Sequence, residues 1–399
     1  MRTPVILVAG QEGTAATTAE LLRRPGTLVI EHRLDGHVVC RRMSMVRNGA
    51  VTIAEVALEL AHGCASCTIR NDLLVLLRKV HQRSDVDRVV VHLAEWAEPE
   101  PICWAIRHVR VGPGPGFDEG PAARDVVVTA VVACVDAMVW LPQALGDEEL
   151  VDGRTVAQVV VAQAEFADVL VCGLPAKDLL EVLHRLNPSA RVVANADAVP
   201  DALYRLPAAD RRGDSDHPHR PLLAGQPPLE AAGRVRLVEF HVRRPFHPER
   251  LHDAVDVLLE GVVRARGRLW LASNDQQVMW LESAGGGLRV SSAGPWLAAM
   301  SASELAYADT ERRVLADAFW DDRDGDRHSS IVVLACGADP ETIRDTLRGA
   351  LLTDEEMRRR DRWPNLHDPF GQWHEDPCSE PIPAPSVTAE NNDNDGEHR

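Results

Sequence analysis

The sequence predicts an α/β protein, a doubly wound and mainly parallel sheet followed by a smaller α+β domain. Three observations carry this. Short all-apolar runs recur through the first half, mostly separated by segments of helical periodicity. Runs without polar alternation suit strands buried on both faces of a parallel sheet. A Gly/Thr/Ala stretch follows the first run, at the carboxyl end of a strand, where such sheets hold ligands. After a polar, Pro-rich break the pattern changes to short strands mixed with two helices, which marks an α+β arrangement.

In chain order, residues 4–10 form an apolar run closed by glycine and followed by a loop and a helical segment around residues 19–24. Further strand-like runs fall at 27–31, 88–93, 126–135, 169–172 and 191–194. Right-handed crossovers between parallel strands account for the helices between them. Asp, Arg, Gly, His and Pro crowd together between Pro207 and Pro228, which reads as an exposed linker. His217 and His219 within it are open to two readings, solvated or metal-binding. Beyond lie a strand at 234–242, a helix at 248–259, strands at 268–272, 277–282, 288–290 and 330–336, and a helix opening at Asp339-Pro340-Glu341. The expected organisation is a first domain at 1–206, a linker at 207–233, a second domain at 234–375 and a disordered acidic tail at 376–399, where Pro, Asn, Asp and Glu displace all apolar periodicity.

Composition narrows the function. A chain of 399 residues, 45% apolar and 26% charged, has the material for two cores. Its formal charge of -17 argues against a broad nucleic-acid surface, because phosphate binding needs clustered Lys and Arg. A local basic cluster, Arg264, Arg266 and Arg268, reads as an exposed strand edge. The apolar start before Gln11 and Glu12 is too short for a signal peptide or a membrane span, so a cytoplasmic location is expected. Eight cysteines in that setting are reduced thiols or metal ligands.

Residues 10–18 read GQEGTAATT. A working phosphate loop is G-x-x-x-x-G-K-[ST], with backbone amides around the phosphates, a lysine on the β/γ oxygens and a hydroxyl on magnesium. Counted from Gly10, the second glycine falls on Ala15, the lysine on Ala16 and the hydroxyl on Thr17. Gly10, Gly13, Thr17 and Thr18 are therefore candidate residues of a degenerate nucleotide site in a P-loop NTPase-like fold. An ordinary Ala/Thr-rich strand-to-helix turn is the competing reading.

Residues 58–74 read LELAHGCASCTIRNDLL. This run resembles the signature of the CobW-type P-loop metallochaperone family, Gly-Cys-x-Cys-Cys-Thr-x-Arg-x-Asp-Leu. Cys64 and Cys67 match its first and third cysteines, and Ser66 stands at the second. Two thiols at this spacing form half of a tetrahedral zinc site, with His62 the nearest further ligand. Small apolar fillers are the alternative. The resemblance runs over roughly residues 3–375. His92 and Glu95 stand at the family's acidic and glycine positions after the third core strand, and Cys172-Gly173-Leu174-Pro175 stands where an Asn-Lys-x-Asp guanine-reading motif is expected, with Asp178 nearby. The segments 244–251 (RPFHPERL), 264–272 (RARGRLWLA), 325–328 (GDRH) and 351–357 (LLTDEEM) resemble the CobW C-terminal domain. His247 in the first of these reads as a turn residue.

The resemblance implies zinc as the bound metal, and GTP with magnesium only where the missing cation and acid can be replaced. The nearest likeness is to an actinobacterial branch whose members bring a ribosome hibernation promotion factor to the 30S subunit under zinc limitation. The expected function is thus a GTPase-like adaptor for that factor with weak or no hydrolysis. The alternative is a zinc metallochaperone that delivers metal to a client protein.

Overall fold

The computed structural model describes residues 2–36, 38–60, 64–206, 222–223 and 225–370. The linker histidines His217 and His219, His62 and the expected tail at 376–399 lie outside them. The strands of the first domain are β1 (Thr3–Gly10), β2 (Thr27–Asp35), β3 (Val38–Arg47), β4 (Ala50–Glu59), β5 (Arg88–His92), the short ribbon β6 (Arg110–Val111) and β7 (Gly120–Pro121), then β8 (Val126–Val135), β9 (Val169–Cys172) and β10 (Arg191–Val193). Its helices are α1 (Thr14–Leu22), α2 (Ala65–Val80), α3 (Pro99–His108), α4 (Trp140–Ala144), α5 (Val156–Glu165), α6 (Lys177–Leu186) and α7 (Val199–Tyr204). One sheet runs β10-β9-β8-β1-β5-β2-β3-β4. Its first six members pair in parallel, and β3 and β4 add antiparallel at the far edge.

The all-apolar strands are explained by two cores, one on each face. Val5, Leu7 and Ala9 of β1 pack into one with Leu73, Leu74 and Leu77 of α2 and Ile106 of α3. Ile6 and Val8 pack into the other with Leu21 of α1 and Val199 of α7. Fully burying each such side chain contributes on the order of 2 kcal/mol.

The second domain is an antiparallel sheet ordered β11-β15-β12-β13-β14, from β11 (Val235–Val242), β12 (Val262–Leu269), β13 (Gln277–Ala284), β14 (Gly287–Pro295) and β15 (Ser329–Cys336). Helices α8 (Pro248–Ala254), α9 (Ala302–Tyr307), α10 (Thr310–Ala318), α11 (Pro340–Gly349) and α12 (Asp354–Arg358) accompany it. The helix expected at Asp339 is α11, capped by the Asp339 carboxylate on the Thr342 N–H at 2.9 Å. Trp270 and Trp296 are buried as packing residues, while Trp320 is half exposed.

The domains share a core: Val235, Val263, Ala284 and Leu334 pack with Val160, Val161 and Leu183. Gly285 reaches the first domain so closely that a Cβ there would meet the Gly146 carbonyl oxygen at 2.3 Å, and its φ is 48°. Only glycine fits that contact.

The arginine cluster is not an exposed edge. β12 lies between β13 and β15, and Arg268 is buried. Arg264 and Arg266 meet Glu165 of α5 at 3.0 and 2.9 Å, and Arg264 also meets Glu282 at 3.2 Å. These charges are neutralised inside the domain seam, beside a hollow of about 240 Å³ also lined by Arg154 and Glu98. No helix among the described residues is long and apolar enough to cross a membrane.

Candidate functional site

The carboxyl ends of β1, β2 and β5 open into a cavity of about 860 Å³. Two helix starts border it. Gly10, Gln11 and Thr14 line one side, Ala65, Ser66 and Ile69 another, and Glu31, His32, His92 and Trp96 contribute further walls.

At the first helix start, α1 begins at Thr14 with Gly13 as its N-cap, φ 87°. Only Gln11, Glu12 and Gly13 separate the strand from the helix. The motif G-x-x-x-x-G needs more chain than that to wrap phosphates. The positions counted from Gly10 for the second glycine and the lysine, Ala15 and Ala16, thus fall inside the first turn of α1. Thr17 is fully buried, and its hydroxyl faces the Cys134 sulfur at 3.4 Å. Thr18 is buried as well. Neither hydroxyl is among the groups lining the cavity; Thr14 is, and it donates to the Gln11 carbonyl at 3.3 Å.

The polar groups at this turn are occupied by one another. Gln11 donates to the Gln163 side chain at 3.2 Å, and Gln163 donates to the carbonyls of Glu95 and Ala97 at 3.0 and 2.9 Å. Glu12 shares a hydrogen bond with Asp136, which raises the Glu12 carboxyl above its ordinary value, with charge repulsion from Asp136 adding to it. At the end of β5, His92 lies 3.8 Å from Glu31, and burial lowers its imidazole below the ordinary value against the opposing pull of Glu31. Leu174 is almost fully exposed with φ 38°, and Asp178 is held by Arg234 at 3.1 Å.

The second helix start differs. Cys64 is the N-cap of α2, and its sulfur accepts the Cys67 N–H at 3.3 Å. A side-chain hydrogen bond from Cys67 is the largest influence holding the Cys64 thiol below its ordinary value, followed by the Cys67 and Ser66 N–H groups and the charge of Arg70. The sequence leaves open whether these cysteines are fillers; both are partly exposed and neither is in a disulfide. By contrast, burial pushes Cys103 up to about 12 and Cys134 and Cys172 up to about 11. The thiolate is the form that binds metal, so the Cys64–Cys67 pair fits zinc as a two-ligand site. Among the described residues no group of three or more His, Cys, Asp or Glu gathers around a common point.

What positions that pair is not visible in the sequence. Asp72, about two turns into α2, accepts from Arg41 at 2.5 Å and bonds the His32 ring at 2.7 Å. The helix is thereby fixed to β2 and β3 through a largely buried carboxylate. His32 and Arg41 join Asp72 only once β2 and β3 pair with the sheet. His247, the N-cap of α8, is a turn residue of the second domain as expected.

Comparison with known proteins agrees with both domains. The model of the CobW/HypB/UreG nucleotide-binding domain matches residues 29–193, and that of the cobalamin synthesis protein cobW C-terminal domain matches 235–351. The chain is 62% identical over 380 residues to the Mycobacterium tuberculosis protein named Zinc chaperone Rv0106, covering 95% of this chain and 96% of that one. It is 26% identical over 341 residues to Zinc-regulated GTPase metalloprotein activator 1 of Dictyostelium discoideum, covering 79% and 70%. The solved Zn(II)-bound YjiA GTPase of E. coli overlaps 88% of this chain and 99% of its own at 14% identity, with a TM-score of 0.33. With both domains matched in order and a relative this similar over nearly its whole length, the chain belongs to the CobW family.

Proposed function

We propose that this protein is a zinc metallochaperone that holds zinc through Cys64 and Cys67 and passes it to a client protein, with little or no nucleotide hydrolysis. The observation that carries the reading is the Cys64 sulfur at the start of α2, accepting the Cys67 N–H at 3.3 Å and held toward its thiolate form. A relative at 62% identity named as a zinc chaperone supports the same metal. A two-thiol site is suited to transfer, because zinc prefers four ligands and a client can supply the rest.

The adaptor function expected from the sequence, recruitment of a hibernation promotion factor to the 30S subunit, is the second reading; its support is the resemblance alone. Both predict partner capture under zinc limitation, and they part on what is captured and on whether zinc moves. The test uses the full chain, loaded with zinc, mixed with a metal-free acceptor and also used as bait in extracts of zinc-starved cells. The metallochaperone reading expects zinc to leave the chain for an acceptor and to stop doing so in Cys64→Ser. Recovery of 30S proteins without any zinc transfer would replace it with the adaptor reading.

A further inference from the structure

We propose that the chain forms a two-fold symmetric dimer by antiparallel pairing of β4 with β4 of a second copy. β4 is the end strand of the large sheet. Over Ala50–Glu59 every residue but Leu58 is exposed, and Val51, Ile53 and Val56 are exposed at 55%, 47% and 41%. Proteins blunt such edges with Pro, Lys, bulges or very short strands. The opposite edge, β10, is short at three residues. β4 has ten, without Pro or Lys, and pairs with β3 without a register shift.

Geometry decides which backbone groups are open. Asn48 and Gly49, φ 51° and 76°, form a two-residue turn between the paired residues Arg47 and Ala50, so that pair exchanges both its hydrogen bonds. Alternation then commits the N–H and C=O of Ala50, Thr52, Ala54, Val56 and Leu58 to β3. Those of Val51, Ile53, Glu55 and Ala57 point away from the sheet. A two-fold pairing must set outward groups against outward groups, so it centres on a residue and not between two. Near the middle of the strand the choices are Ala54 and Glu55. Centring on Glu55 sets two carboxylates face to face, which destabilises the pair.

Centring on Ala54 sets Ile53 against Glu55 of the second copy, Val51 against its Ala57, Thr52 against its Val56 and Ala50 against its Leu58. The contacts on the face with Ala54 are then small or apolar, and each Glu55 keeps its own Arg42 at 3.7 Å. The chain's own C-terminal segment is a poor occupant, since Pro377, Pro381, Pro383 and Pro385 interrupt it and proline cannot donate to a ladder.

Sedimentation of the full chain in chelator, over a range of concentrations, tests this apart from any zinc-bridged association. A dimer is expected, lost in Ile53→Pro, which removes an outward N–H without touching the β3 ladder, and lost in Ile53→Lys if the proline variant does not fold. Mild oxidation adds a register test. Ala54 faces itself in a non-hydrogen-bonded pair, where Cα atoms lie roughly 4.5 Å apart, within disulfide reach. Ala54→Cys should therefore cross-link, while Val51→Cys, with its copies roughly 20 Å apart along the strands, should not. A monomer at every concentration, a dimer that survives Ile53→Lys, or equal cross-linking by the two cysteine variants would overturn the proposal.

Discussion

The starts of α1 and α2 open on the same cavity, and each carries N–H groups that a helix N-terminus leaves without intrahelical acceptors. At α2 those groups meet a sulfur: Cys64 caps the helix and accepts from Cys67. At α1 the cap is Gly13, which has no side chain to offer, and the nearby carboxyls of Glu12 and Asp136 share a hydrogen bond with each other. Two helix starts of different character thus face one cleft. A helix start favours negative charge in general; the turn before α1 is only Gln11, Glu12 and Gly13 and carries no cation of its own.

The largest effect expected from this contrast is on metal. Changing Cys64 or Cys67 to Ser should weaken zinc binding by roughly a hundredfold or more, since loss of outer-shell partners alone costs 10–100-fold. Thr17→Ala at the other helix start should leave it unchanged. Competition against a chromophoric chelator reads both, and equal effects would erase the distinction.

Next is the carboxylate that pins α2. Asp72→Asn weakens the links to Arg41 and His32 and should lower stability by roughly 2–3 kcal/mol, seen in urea unfolding, with a smaller fall in zinc affinity. A variant as stable as the parent would mean that α2 is held by packing alone.

The third concerns reactivity. Cys64 is an acid whose value is lowered in the folded protein, so its thiolate persists as pH falls below the ordinary thiol value of 9.0. Folded stability gained from this is present above the unfolded value and lost as pH drops through the folded one. Alkylation followed by peptide mapping should therefore find Cys64 modified at a lower pH than any other cysteine. Cys103, Cys134 and Cys172 should stay unmodified until the protein unfolds.

The smallest effect is expected from restoring the missing lysine. Ala16→Lys should leave GTP turnover unchanged, because the turn before it is too short to wrap phosphates whatever side chain follows. A gain in turnover would show that only the charge was missing.

The parallel strands were legible in the sequence because burial on both faces leaves an unbroken apolar run, as in β1 and β8. β3 and β4 were not: Arg41 and Arg42 break the apolar run of β3, and β4 buries almost nothing. Only the Asn48-Gly49 pair signalled a hairpin there. β12 was displaced toward residues 268–272 because Arg264 and Arg266 look like surface residues until Glu165, a hundred residues away in sequence, is brought against them. In the cleft the Cys-x-x-Cys spacing of Cys64 and Cys67 is visible in the sequence, but their place at the start of α2 is not. The shortened turn was not, because counting from Gly10 assumes the length of loop that the structure lacks. The partnership of Asp72 with His32 and Arg41 depends on strand pairing, so no local pattern announces it.

The most direct test of the account is a zinc titration of the full chain with and without saturating magnesium and GTP. The account predicts about one thiol-bound zinc per chain, with the same affinity in both conditions. A zinc affinity that rises tenfold or more when nucleotide is added would contradict it, because the two helix starts would then be working as one site.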